Sequence, residues 1–355
     1  MTGEYRGEGL IFIISQPRSG STLLQRVLAG HPDIQTSAET WLLLHPLYAL
    51  KSDGITTEFN HRWARTGVAE FLENYTDGED IYIKGLREWA RVIYSNAMAR
   101  FDKSFFVDKT PRYFFIIPEL WRVFPEASFV FLIRNPLAVL ASELKTYVRG
   151  NWRILARFEP DLRQAPGLII DGLEELGESA ILVKYEDFVR DPETQLRRLC
   201  DRLRIKFYPN MLNYSGTPTP VGRMNDPVGI HCHSSPSADG VDKWKWMLHD
   251  SQALHFAQAY LDDLGPETLN ALGYTYRELA STGKLPHRSR STLSVFPWSL
   301  AIKEKSTWST RDRIRAELYY ILQEKSLAEK AAYLARRIEG FVRGRSLLNT
   351  SKRLP

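Results

Sequence analysis

"IFIISQPRSGSTLLQRVLAGHPD", residues 11–33, runs from an apolar segment through a polar turn into an amphipathic one. Leu10 to Ile14 is a short, unbroken apolar run and reads as a buried strand. Ser21 to Gly30 reads as a helix with Leu23, Leu24, Val27 and Leu28 on one face, stopped by Gly30 before His31-Pro32. A strand, a Gly-bearing turn and a helix N-terminus make an anion site, because backbone N–H groups converge and the helix dipole favours negative charge. Ser15 to Thr22 lines up with G-x-x-x-x-G-K-[ST]. Ser15 replaces the first Gly, Gly20 keeps the second, Ser21 replaces Lys and Thr22 keeps the hydroxyl. The Lys that would reach the β/γ-phosphates is absent. G-x-G-x-x-G also fails, because only Gly20 is present. The turn is therefore expected to hold a phosphate, with Arg18 supplying charge, and to suit a triphosphate with Mg²⁺ poorly. The alternative is an ordinary strand–helix turn, but Arg18, Ser19, Gly20, Ser21 and Thr22 together are more than such a turn requires.

Further strands are expected at Ser104–Asp108, Ser128–Ile133 and Ala180–Tyr185. Helical spacing occupies Trp63–Asn74, Leu86–Phe101, Arg112–Phe124 and Pro192–Leu203, and Pro136 starts a helix running to about Val148. Apolar strands without alternation, separated by helices, indicate a parallel sheet covered on both faces. The expected fold class is α/β, a P-loop-type three-layer fold with a central parallel sheet flanked by helices, plus a C-terminal helical extension. Pro209 to Gly240 is rich in Pro, Gly, Ser and Asn and reads as a long loop. Loops of such length are usually functional or disordered. Helix returns over Lys243–Leu264. The body is placed at residues 8–283 and a basic helical extension at 284–355.

The composition excludes several classes. With 355 residues, 43% hydrophobic and 25% charged, the chain is ordinary globular material. Two cysteines, Cys200 and Cys232, do not make a disulfide framework. No apolar run approaches the roughly 20 residues of a membrane span, and Met1–Gly9 is polar, so a cytoplasmic protein is expected. The net charge of +5 is unevenly spread: residues 284–355 hold 16 Lys and Arg against 6 Asp and Glu. Such a tail suits an acidic partner, a membrane surface or docking on the body, or is a solvated helix face. Apolar residues at helical spacing (Ile314, Leu318, Leu327, Leu334) predict that it docks on the body or on a second subunit. His231-Cys232-His233 shows no finger spacing, and no metal is expected there.

A second basic site lies in "RNPLAVLAS", residues 134–142. Arg134 emerges where a strand ends, which is where open parallel sheets bind ligands. Ser142 follows eight residues later in the helix begun by Pro136. Arg supplies bidentate donors and Ser a hydroxyl, so both are able to converge on one phosphate. The alternative is an arginine at the sheet edge and a solvent-facing serine. Two phosphate sites with one nucleotide between them describe 3′-phosphoadenosine 5′-phosphosulfate.

Here a family resemblance enters. "PRSGSTLL", residues 17–24, resembles the 5′-phosphosulfate loop of sulfotransferases, and "RNPLAVLAS" resembles their 3′-phosphate motif, including the eight-residue step. The ungapped run from Pro17 to Thr40 is similar to the tyrosylprotein branch and its bacterial relatives. The likeness covers roughly the first 190 residues. It implies a sulfotransferase domain over 8–283 that uses the phosphosulfate donor without a metal. The implied reaction moves a sulfonate to a hydroxyl acceptor by in-line displacement, where positioning and electrostatics dominate.

Glu39 matches the branch's catalytic Glu and is expected to act as general base. Lys109 resembles the Lys at the bridging oxygen, although Asp108 beside it offers a structural ion pair instead. Arg18 is the other cation near the sulfonate. Tyr185 is placed to contact the nucleotide, or is a core aromatic with a satisfied hydroxyl. Ser237, Lys243, Lys245 and Trp244 are candidates on the closing loop, with Trp244 placed to stack on adenine. The expected acceptor is a glycan, lipid or other small metabolite, not a nucleic acid. A small-metabolite P-loop kinase and a non-catalytic nucleotide-binding interaction protein are the competing readings.

Overall fold

The computed structural model describes residues 4–51, 61–74, 77–149, 155, 157–216, 234–276, 279, 309–311 and 314. Five strands form the sheet: β1 (Leu10–Ser15), β2 (Ile34–Thr36), β3 (Phe105–Asp108), β4 (Ser128–Ile133) and β5 (Ala180–Lys184). All pairings are parallel and the order is β2-β3-β1-β4-β5. β2 is the strand that the sequence reading lacks. Its three residues carry too little pattern to separate from the loop around them.

Ten α-helices are described: α1 (Ser21–Ala29), α2 (Leu44–Tyr48), α3 (His61–Glu73), α4 (Gly78–Ala99), α5 (Ile117–Val123), α6 (Pro136–Glu143), α7 (Ala165–Leu176), α8 (Tyr185–Arg190), α9 (Pro192–Leu203) and α10 (Ser251–Ala271). Successive side chains of a strand face opposite ways, and both faces of the central strands β1 and β4 are buried. Leu10, Phe12 and Ile14 of β1 join one core with Phe129 and Phe131 of β4, Leu120 of α5, Leu140 of α6, Ile169 of α7 and Phe256 of α10. Ile11 and Ile13 join the other, with Val130, Leu132, Leu24 and Val27 of α1, Phe188 of α8 and Leu196 of α9. Every residue of β1 is buried. This is the three-layer arrangement that uninterrupted apolar strands require. Cys200 is a free thiol buried in the second core.

Three segments depart from their expected form. Pro111–Ile116 is 3₁₀-helical before α5 begins at Ile117. The helix from Pro136 is α-helical to Glu143 and then widens into a π-helical turn, Leu144–Val148. Lys243–His249 is a 3₁₀ turn, and α10 starts only at Ser251 and bends at Gly265-Pro266, where Gly265 has φ 75°. The loop expected over 209–240 contains short 3₁₀ turns at Pro209–Leu212, Tyr214–Gly216 and Ala238–Gly240. Residues 217–233, including Cys232 and the His231–His233 stretch, lie outside the described residues, as does nearly all of the basic extension.

The topology locates a crevice. From β1 the chain goes out to β2, returns to β3 beside β1, and then crosses β1 to reach β4 and β5. Connections leave β1 and β4 in opposite directions, and the space above their C-terminal ends is where such sheets bind ligands.

Candidate active site

Each of the five strands delivers one candidate residue from its C-terminal end: Arg18 after β1, Glu39 after β2, Lys109 after β3, Arg134 after β4 and Tyr185 after β5. Above that edge lies a cleft of about 450 Å³. Arg18, Gly20, Ser21, Thr22, Glu39, Arg134, Ser142, Tyr185, Lys243 and Trp244 all line it.

The first turn is built on left-handed backbone. Arg18 has φ 68° and Gly20 has φ 94°. A Cβ at Gly20 would stand 2.6 Å from the Tyr185 ring, so glycine is demanded by both conformation and space. Arg18 turns its side chain across the cleft, where its Nε donates to Ser142 Oγ at 3.0 Å. The Ser19 hydroxyl is buried without a hydrogen-bond partner within the protein.

Asn135 caps α6, accepting from the Leu137 and Ala138 N–H groups, with Pro136 in the first turn. Arg134 thereby stands at the mouth of a helix of fixed direction. Its Nη1 donates to the Arg18 carbonyl and its Nη2 to the Gly240 carbonyl, both at 3.0 Å, and its guanidinium lies 4.2 Å over the Tyr185 ring. Its Nε is buried and has no acceptor in the protein. Burial lowers the guanidinium's proton affinity, and Tyr185 and Glu186 counter that. The two sequence-predicted phosphate sites are thus mechanically one: Arg18 reaches Ser142, and Arg134 holds Arg18. Tyr185 is both a packed aromatic, 7% exposed, and part of the cleft wall.

At the opposite end Lys109 Nζ donates to Glu39 Oε1 at 2.8 Å, and the Trp41 indole N–H donates to Glu39 Oε2 at 3.2 Å. Trp41 takes a left-handed φ of 52°, unusual for a large side chain. The Lys109 side chain is 1% exposed and that of Glu39 is 17% exposed, so the carboxylate is the member open to the cleft.

Asp108 is not the ion-pair partner of Lys109 that its position beside it suggests. Its carboxylate accepts from the hydroxyls of Tyr94, Tyr113, Thr40 and Thr110. Burial raises its pKa, against the lowering effect of those hydrogen bonds. Thr40 follows Glu39 and Thr110 follows Lys109, so one buried carboxylate ties both loops and fixes their neighbours at contact distance. The chain gives no signal for the bond that joins the two loops, because Thr40 lies 68 residues from Asp108.

Ser237 is placed elsewhere. Its Oγ accepts from the Asp239 N–H and caps a 3₁₀ turn, outside the residues that line the cleft. Of the two lysines, Lys243 lines the cleft and Lys245 pairs with Asp242 at 2.9 Å. The sequence reading missed Arg26, Tyr147, Tyr214 and Trp246, which also line the cleft. Tyr147 is carried inward by the π-helical turn and stacks on Phe158. Among the described residues no group of three or more His, Cys, Asp or Glu is placed to hold a metal ion, and no helix is long and apolar enough to cross a membrane.

Beneath Ser142 lies Glu143, 1% exposed, with neither carboxyl oxygen hydrogen-bonded within the protein. Burial, reinforced by Asp161, pushes its pKa up to about 8. The folded protein therefore retains this proton up to that pH, whereas the unfolded chain releases it near 4.5. The associated stability is fully present below 4.5 and is lost as pH rises towards 8. Glu143→Gln should abolish that loss, making the variant about 3–5 kcal/mol more stable relative to wild type at pH 8 than at pH 4. Urea unfolding at both pH values measures it. Parallel pH dependence of the two proteins would contradict the assignment.

Residues 11–209 match the model of the Sulfotransferase family. The chain belongs to this family. It is 36% identical to nodulation protein NoeE of Sinorhizobium fredii over 141 residues, 39% of this chain and 32% of that protein. A putative protein-tyrosine sulfotransferase of Caenorhabditis briggsae is 25% identical over 58% of this chain and 69% of its own length. The chain thus spans about a third of NoeE. Among solved structures, the sulfotransferase domain from the curacin biosynthetic pathway is similar at 25% identity and a TM-score of 0.44, over 68% of this chain and 91% of that one.

Proposed function

We propose that this chain transfers a sulfonate from 3′-phosphoadenosine 5′-phosphosulfate to a hydroxyl of a glycan, lipid or other small metabolite, in a cytoplasmic setting. The observation that carries the reading is the convergence of Arg18, Glu39, Lys109, Arg134 and Tyr185 on one sheet edge, with a basic end and a Glu–Lys end. The residues suit a nucleotide with two anionic ends. Arg134 Nε and Ser19 Oγ are buried donors without protein acceptors, and the absence of a Cβ at Gly20 and Gly240 lets Tyr185 pack closely against both and form part of the cleft wall.

Arg134, Ser142 and Tyr185 would hold the ribose-phosphate end, and residues 18–22 the other. When bound, the nucleotide supplies an activated sulfonate with a phosphate as leaving group. Glu39 takes the proton of the acceptor hydroxyl on its carboxylate, which the Lys109 ammonium and the Trp41 indole hold in one orientation. The Lys109 charge, kept out of water, offers a preorganised cation where negative charge grows. Trp244 and Trp246 wall the cleft against solvent. The basic extension would meet a membrane surface or a second subunit.

Calorimetric titration with adenosine 3′,5′-bisphosphate, beside ATP with Mg²⁺, tests the reading. Binding of the bisphosphate and none of ATP is expected. Binding of ATP alone would give the kinase reading precedence.

A further inference from the structure

Glu186 follows Tyr185 in the first turn of α8 and is buried. Its carboxylate reaches the start of α6. Oε1 accepts from the Asn135 N–H at 3.0 Å, and Oε2 accepts from the Tyr274 hydroxyl at 2.7 Å. Tyr274 lies three residues beyond α10 and is buried as well. The end of β5 holds it in turn: the Lys184 ammonium stands 4.2 Å from the ring centroid and donates to the adjoining Gly273 carbonyl at 3.0 Å. Burial, reinforced by the Glu186 charge, raises the Tyr274 pKa, so its hydroxyl stays a donor. One buried carboxylate thus ties the ends of β4, β5 and α10 together across 51 and 88 residues of chain. Neither Glu186 nor Tyr274 is among the residues that line the cleft.

A helix start attracts anions through its free N–H groups, but at α6 these are taken within the protein. Glu186 accepts from Asn135 N–H, the Asn135 side chain accepts from Leu137 and Ala138 N–H, and Pro136 has none. The pull on an anion at the end of β4 therefore rests on the Arg134 side chain. Glu186 fixes the peptide N–H that directly follows Arg134, and its charge also acts on the guanidinium. We propose that Glu186, clamped by Tyr274, is a positioning residue that sets the direction in which Arg134 is presented to the nucleotide, without touching the nucleotide itself. This rests on the sulfotransferase reading above.

The test titrates adenosine 3′,5′-bisphosphate into wild type, Tyr274→Phe, Glu186→Ala and Glu186→Gln, and into Arg134→Gln with and without Tyr274→Phe. Melting temperatures are recorded for each protein. Tyr274→Phe, the gentlest change, should weaken binding about 3- to 10-fold, as expected for one lost hydrogen bond to a charged group. Glu186→Ala should weaken it about 10- to 100-fold, because it frees both the Asn135 N–H and the phenol. Glu186→Gln should return the affinity to within about threefold of wild type, since its amide oxygen accepts from Asn135 and its amide N–H meets the Tyr274 oxygen. In the Arg134→Gln background Tyr274→Phe should change affinity by less than about twofold, because it acts through the arginine. An equal loss with and without Arg134, or no recovery by Gln, would show that the clamp only braces the fold and would overturn the inference. Unchanged affinity in Tyr274→Phe and Glu186→Ala would do the same while leaving the sulfotransferase reading intact. Failure of wild type to bind the bisphosphate would remove both.

Discussion

Replacing Glu39 by Gln is expected to lower turnover by about 10²–10⁴-fold, the usual range for loss of a general base, and to change affinity for adenosine 3′,5′-bisphosphate by less than about threefold. The geometry separates these outcomes. Glu39 sits with Lys109 and Trp41 at the β2–β3 end, whereas the nucleotide-holding candidates Arg134, Ser142 and Tyr185 come from β4 and β5. Gln keeps a carbonyl oxygen for Lys109 but cannot take a proton. It also leaves the buried ammonium with a neutral partner, so some loss of stability is expected. Steady-state turnover and the melting temperature should therefore be measured together. Turnover within threefold of wild type, in a folded variant, would remove Glu39 from the mechanism.

Arg134→Gln should weaken binding of the bisphosphate by about 10²–10³-fold, from loss of charge-assisted hydrogen bonds and of their geometry. Arg134 has two tasks in the structure. It is a buried cation with an unused N–H, and it is a strut joining the Arg18 carbonyl to the Gly240 carbonyl. Removing it frees the first turn as well as the charge, so the loss should exceed that for Ser142→Ala. Arg134→Lys should recover less than a tenth of the lost affinity, because an ammonium does not bridge two carbonyls and cover the Tyr185 ring at once. Calorimetry with the bisphosphate decides this. An affinity within threefold of wild type would refute the role.

Much of this was legible in the chain. β1, β4 and β5 are apolar runs, α1 has its stop at Gly30, α6 its start at Asn135-Pro136 and α9 its start at Asp191-Pro192. The first turn announced itself because a left-handed glycine next to a helix start is a local requirement. Arg134 and Ser142 were legible because both lie on one strand–helix unit, whose geometry is set within nine residues.

The sequence by itself thus determined the parallel sheet and the position of the two candidate anion-binding segments, since each depends on backbone periodicity and on residues close in the chain. Only the tertiary structure decided which side chains meet. It turned Arg18 onto Ser142, gave Lys109 to Glu39 rather than to Asp108, and made Asp108 the brace of both loops. It took Ser237 out of the cleft and put Arg26 and Tyr214 into it. The pairings of Thr40 with Asp108, Lys109 with Glu39, Arg18 with Ser142 and Arg26 with Tyr214 span 68, 70, 124 and 188 residues of chain. No local propensity encodes them, because they arise from strand order, which places side by side the ends of strands that the chain visits far apart.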